Sequence, residues 1–318
     1  MLMRYSLACI LAISSLSVAS AQSTVAPTQT EPAKKQKSKA ADTQKQRAAV
    51  SQPDRSVVYK QVGERKLLLH VFEPVAQASQ PRPAIVFFFG GGWTSGTPEQ
   101  FYPQSRYLAD RGMVALCADY RVHSRDQALV IDCIADAQDA VRYVREHAVD
   151  FKIDPARIAG GGGSAGGHLA AAVATLNYRG QPSVAPELFR PAALVLFNPA
   201  LVLAPIAGTA LKSQDAVRVE RLEERMGDKP EAVSPYHHLT ESLPPTLILH
   251  GQADTTVPYA TVVAFRDRAE QLKVDCKLVG YPDQTHGFFN YARGQAGYTA
   301  TRDEMGRFFE RLGWLAKP

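Results

Sequence analysis

A chain of 318 residues, 45% hydrophobic and 21% charged, has the composition of a globular protein long enough to bury a substantial core. Its net charge of +5 suggests a basic protein, yet residues 1–55 carry eight Lys and Arg against three Asp and Glu and account for all of it. The remainder balances at 28 basic and 28 acidic side chains, which removes the electrostatic case for a nucleic-acid partner.

Residues 1–21 read as a secretory signal. Arg4 supplies a short positive region, Leu7 to Leu16 an apolar stretch, and Ala19-Ser20-Ala21 the small residues expected before cleavage. The apolar stretch is too short to span a bilayer comfortably, and no later apolar run is long enough, so an exported protein without stable membrane insertion is expected, periplasmic or secreted. Residues 22–55 are rich in Gln, Ala, Lys, Thr and Pro and lack the apolar clustering needed to offset ordering entropy, which predicts a disordered basic linker. Residues 56–318 are then the folded domain. Beyond the leader the cysteines are Cys117, Cys133 and Cys276, an odd number that leaves at least one thiol unpaired. A Cys117–Cys133 disulfide is left open.

Residues 56–62 and 67–73, around Gly63, predict an opening hairpin. Residues 84–89 (AIVFFF) form a continuous apolar run, as in a strand covered on both faces. A helix is expected over 99–111, a strand over 113–118 and a helix over 128–147, where Ile131, Ile134, Ala135, Val141 and Val144 recur at helical spacing. Residues 157–159 lead into glycines, and a helix follows over about 164–177. Further strands are read at 192–197, 246–250 and 276–281, with helices at 259–272 and 301–312. This alternation predicts an α/β fold with a mostly parallel, doubly wound sheet behind an antiparallel hairpin. Only residues 201–243 break the rhythm. Their charged helical middle, 215–226, is either a small cap over the site or a surface excursion.

The chemistry gathers after these strands. Gly161-Gly162-Gly163-Ser164-Ala165-Gly166-Gly167-His168 contains a G-x-S-x-G pattern between a strand and a helix. A nucleophile raised on so tight a turn needs glycine on both sides, because side chains there would collide with strand and helix. Upstream, Phe89-Gly90-Gly91-Gly92-Trp93 follows the AIVFFF strand. Acyl transfer builds negative charge on a carbonyl oxygen, and Gly91 and Gly92, with Ala165 after the nucleophile, are candidate N–H donors to it. Serine also needs a base, and the base needs an acceptor. His286 follows the last strand by a short loop and Asp254 follows the strand before it, both where a doubly wound sheet gathers ligands. Asp283 is a weaker candidate acid, since it precedes His286 within the same loop. His70 and His147 read as structural, and His168 as packing behind the nucleophile. Trp93, His123, His237 and Phe288 are candidate substrate contacts, and His238 shares the reading of His237. No cysteine, histidine and carboxylate cluster has metal-ligand spacing, so no metal is expected.

Together FGGGW, GGGSAGGH, HGQADTTVP and HGFFN resemble the hormone-sensitive-lipase-like and bacterial feruloyl/acetyl esterase branches of the α/β-hydrolases, over about residues 56–315. The resemblance implies a Ser164–Asp254–His286 triad, oxyanion donors at Gly91, Gly92 and Ala165, and cofactor-free, two-step hydrolysis of carboxylic esters. Phe89 stands where such families usually have histidine. Gly163, where the lipase-like branch often has aspartate, points to the feruloyl/acetyl branch. Residues 22–55 look unable to form the lipase-like helical cap, so an open cleft is expected, suited to a small ester or to one carried on a polysaccharide. The rival readings are an arylformamidase or small peptidase using the same triad, and a non-catalytic glycan-binding protein.

Overall fold

The computed structural model describes residues 52–76, 80–177, 179, 184–207 and 222–317, without the side chains of 222 and 223. The leader, most of the linker and the first part of the 215–226 stretch lie outside the described residues. Contacts divide the chain into Met1–Gln44 and Lys45–Pro318, and every described residue belongs to the second unit.

Among the described residues, eight strands form one sheet: β1 (Arg55–Val62), β2 (Arg65–Phe72), β3 (Arg82–Phe88), β4 (Val114–Ala118), β5 (Ile153–Gly163), β6 (Ala193–Phe197), β7 (Thr246–Gly251) and β8 (Cys276–Tyr281). Their spatial order is β1-β2-β4-β3-β5-β6-β7-β8. The β1–β2 and β2–β4 pairs are antiparallel and all the others parallel. The longer helices are α1 (Tyr102–Asp110), α2 (Val130–Glu146), α3 (Ala165–Thr175), α4 (Tyr259–Gln271) and α5 (Gln295–Arg311).

Successive strand residues point to opposite faces. On β3, Ala84, Val86 and Phe88 pack with Ile134, Leu169 and Phe265 of α2, α3 and α4. Ile85 and Phe87 turn the other way, toward Leu108 of α1 and Phe309 of α5. Both faces are therefore dry, which is why this strand reads as an unbroken apolar run rather than an alternating one. Each fully buried side chain of this size contributes on the order of 1.5–3 kcal/mol relative to exposure. The same alternation decides the cysteines. Cys117 faces the α1/α5 layer and Cys133 sits on α2 in the other layer, so the sheet separates them. Cys117, Cys133 and Cys276 are all free thiols.

Most boundaries fall within about three residues of the sequence reading, and two depart further. Strand β5 does not stop before its glycines but runs through Gly163. Large neighbours occupy the space that side chains would need: a Cβ at Gly161 would lie 2.7 Å from Phe87 Cε1, and one at Gly163 would lie 2.3 Å from Phe289 Cζ. Helix α5 begins at Gln295, six residues before the apolar spacing becomes visible at 301. Gly297 lies in that first part, where a Cβ would stand 2.4 Å from Phe288 O.

Candidate active site

Ser164 sits at the carboxyl end of β5, between the strand and α3, with φ 54° and ψ −118°. Few non-glycine residues occupy that region, which carries on the order of 1–3 kcal/mol of strain. The turn is held by the Ser164 N–H donating to Phe197 O at 2.8 Å and by the His168 N–H donating to Ser164 O at 3.0 Å. Gly162 and Gly166 permit it: a Cβ at Gly162 would lie 2.4 Å from Gly166 O, and one at Gly166 would lie 2.0 Å from Phe88 O.

Asp254 follows β7 and His286 follows β8, and the structure brings both to Ser164. His286 Nδ1 lies 2.7 Å from Asp254 Oδ2, and His286 Nε2 lies 3.0 Å from Ser164 Oγ. An ionised carboxylate only accepts, so Nδ1 carries the proton and Nε2 is left to accept from the serine hydroxyl. Asp254 Oδ1 accepts from the Thr256 and Val257 N–H groups at 2.9 Å each. Asn198 Nδ2 donates to Oδ2 at 2.9 Å. His250 Nε2 donates to Val257 O at 2.9 Å and approaches Asp254 Oδ2 at 3.3 Å. Burial alone would raise the Asp254 pKa, but the bonds from His250, His286 and Val257 and the charge of His286 hold it well below the usual carboxylate range. Asp283 is exposed on its turn and forms no ion pair with His286.

Facing the serine is the glycine loop. Gly91 has φ 132° and Gly92 φ 61°. A Cβ at Gly91 would lie 2.0 Å from Ser95 O, so the turn closes only without one. The Ala165 N–H, at the first position of α3, has no acceptor within its helix. Gly91, Gly92, Ser164, Ala165 and His286 line one cleft of about 310 Å³. Phe89 does not leave the loop loose. Its ring stacks on Tyr120 at 4.0 Å between centroids, and its carbonyl accepts from Tyr120 OH at 2.7 Å. Gly90 N–H donates to Gln100 Oε1 at 2.5 Å. Arg225, from the 201–243 excursion, donates to Gly92 O at 3.1 Å and to Thr94 Oγ1 at 2.6 Å.

The candidate substrate contacts fare differently. Trp93 lines the cleft, but its indole is buried and donates Nε1–H to His168 Nδ1 at 3.1 Å. His168 in turn donates Nε2–H to Val233 O at 2.8 Å, and burial pushes its pKa down to about 4 against the opposing pull of that carbonyl. The packing role read for His168 is thus tied to the glycine loop. His123, His237 and Phe288 line neither the cleft nor the cavity beside it. The His123 backbone bonds Trp93 O, and the His237 ring bonds Ser234 Oγ and Pro205 O. Phe288 turns away from the site, because the tight turn at Gly287 aims it at Tyr281 and α5, and Phe289 takes its place at the cleft.

Sequence reasoning missed Asn198, Gln100 and Asn290. Asn198 had a signal, a polar residue directly after the apolar strand β6, on the same sheet edge as Ser164 and Asp254. Gln100 had none, and Asn290 stood only as the last residue of the HGFFN motif, for the bond that joins the two spans 190 residues of sequence. Beside the cleft lies a second cavity of about 690 Å³, with Gly90, Gln100, Asn290 and Arg293 common to both.

The sheet order, the antiparallel start and the turn that bears Ser164 define an α/β-hydrolase fold. The chain belongs to the BD-FAE family, whose model matches residues 69–268. Apo esterase 2 of Thermogutta terrifontis is 43% identical, with a TM-score of 0.76 over 83% of this chain and 96% of that one. The same esterase phosphonylated by sarin, also 43% identical, gives a TM-score of 0.79 over 84% and 98%. Probable carboxylic ester hydrolase LipM of Mycobacterium tuberculosis is 28% identical over 267 residues, 79% of this chain and 60% of LipM. The chain spans between half and three-fifths of the length of three of the curated relatives it matches. Among the described residues, no helix is long and apolar enough to cross a membrane.

Proposed function

We propose that this chain is an exported carboxylic ester hydrolase that acts on short acyl or aryl-acyl esters, of the acetyl or feruloyl kind, through an acyl-enzyme. The observation that carries the proposal is the 3.0 Å approach of His286 Nε2 to Ser164 Oγ, with Nδ1 held by Asp254. As Ser164 Oγ bonds to the ester carbonyl carbon, its proton passes to His286 Nε2, and Asp254 stabilises the imidazolium. Charge on the carbonyl oxygen is met by the N–H groups of Gly91, Gly92 and Ala165. Loss of one such donor typically raises the barrier by about 2.7–4 kcal/mol. The C–O bond then breaks and the alkoxide takes the proton back from Nε2. Water repeats the sequence on the acyl-serine, releasing the acid and restoring Ser164.

A cleft of about 310 Å³ suits a small acyl group, and the adjoining cavity leaves room for a larger alcohol, including one carried on a polysaccharide. The leader pattern of residues 1–21 supports export. That esterase 2 is phosphonylated by sarin fits a nucleophile at the matching place. The test is release of p-nitrophenol from p-nitrophenyl acetate. Purified protein should turn the ester over and lose that ability as Ser164→Ala, whereas equal rates for the two proteins would refute the assignment.

A further inference from the structure

We propose that Arg293 binds an anionic group on the leaving alcohol, so that the esters preferred at this site carry a carboxylate on their alcohol or phenol part. This deepens, and rests on, the ester-hydrolase reading above. Arg293 ends the short 3₁₀ turn Tyr291–Arg293, just beyond the loop that bears His286. It lines both the cleft and the larger cavity beside it. Of the described residues lining the cleft, it alone carries a permanent charge. It is exposed and has no ion-pair partner among the described residues, so its guanidinium donors are open to a ligand.

Its position indicates which half of the ester it reads. The guanidinium lies against Gly287, where a Cβ would stand 3.5 Å from Arg293 Nε and 3.7 Å from Cζ. Gly287 directly follows His286, whose Nε2 returns the proton to the departing oxygen. A cation beside that residue stands on the leaving-group side. The larger cavity can house the body of the alcohol, with Tyr102 and Tyr291 in its walls. Glu99 also lines that cavity but not the cleft. An anion deep in the larger cavity would be repelled, so the carboxylate belongs at the junction, beside Arg293. A planar guanidinium matches a carboxylate with paired hydrogen bonds, and exposure to water keeps the effect modest.

The test compares phenyl acetate, 4-acetoxybenzoate and phenyl hydrogen succinate on the full chain, its R293A and R293K variants, at low ionic strength. The ratio of kcat/KM for 4-acetoxybenzoate to that for phenyl acetate should fall about three- to tenfold in R293A, chiefly through KM. R293K should restore part of it, and roughly 0.5 M salt should erode it in the parent. An unchanged ratio in R293A would overturn the proposal. So would a fall confined to phenyl hydrogen succinate, whose charge is on the acyl side. Failure of the parent on neutral phenyl acetate would instead remove the ester-hydrolase reading, and this proposal with it.

Discussion

Gln100 and Asn290 join the two loops that must cooperate at Ser164. Gln100 Nε2 donates to Asn290 Oδ1 at 2.8 Å, and each amide spends its other end on a backbone. Gln100 Oε1 receives the Gly90 N–H at 2.5 Å, while Asn290 Nδ2 donates to Gly287 O at 2.7 Å. The oxyanion loop and the histidine loop are thereby held to one spacing by four consecutive groups. Such a chain is useful where a displacement of about 1 Å costs a hundredfold in rate.

Gln100→Ala should therefore lower kcat by about ten- to a hundredfold while leaving the fold intact. Asn290→Ala should have a similar effect. The double variant should be no worse than the poorer single one, since each alone already opens the link. Steady-state kinetics on p-nitrophenyl acetate for the four proteins checks this, and simple multiplication of the two losses would argue for independent roles.

Asn198→Ala removes a hydrogen bond from a buried carboxylate. The loss should destabilise the protein by about 1.5–3 kcal/mol and lower kcat more than it changes KM. Asp254 is held below its unfolded pKa, so its contribution to stability is full above that pKa and fades as pH falls through the folded value. With one donor gone the folded value rises. Acid unfolding, followed by circular dichroism, should begin at a higher pH than in the parent.

His168 gives the opposite kind of group a clear window. Its folded pKa of about 4 lies below the ordinary histidine value of 6.5. Between the two the unfolded chain binds more protons, so stability drops as pH is lowered from 6.5 to 4 and levels off below that. The slope approaches about 1.4 kcal/mol per pH unit, or roughly 3 kcal/mol in all. His168→Gln keeps an acceptor for Trp93 and a donor for Val233 without the titration. Urea unfolding at pH 5 and pH 7 should show a smaller difference in this variant than in the parent.

Gly163→Ala tests why this position lacks a side chain. Phe289 fills the space, and its ring is confined by Phe101 and Phe197 at centroid distances of 5.7 and 5.0 Å. A new methyl group has nowhere to move, and a loss of about 1–3 kcal/mol is expected. Thermal unfolding measures it directly. An aspartate at the same position would meet the same ring, with the added penalty of burying a charge.

The amino-acid sequence by itself determined the alternation of strands and helices and the order Ser164, Asp254, His286. Both are written in short-range terms. A strand covered on both faces must be apolar throughout, a tight turn must have glycine, and a group placed directly after a strand must emerge at the sheet's edge. Tertiary structure alone decided what surrounds these groups. Gly161 and Gly163 look like loop residues until Phe87 and Phe289, distant in the chain, are seen to occupy the room for side chains. Phe288 looks like a substrate contact until its ring is seen packed against Tyr281, and Trp93, which does line the cleft, is seen to spend its indole N–H on the buried His168. Asn198 acts through a bond to Asp254, and Gln100 and Asn290 through a bond to each other, and only the assembled fold brings these partners near. Local pattern carries conformation and chain order, whereas packing and long-range hydrogen bonds depend on which segments the fold makes neighbours.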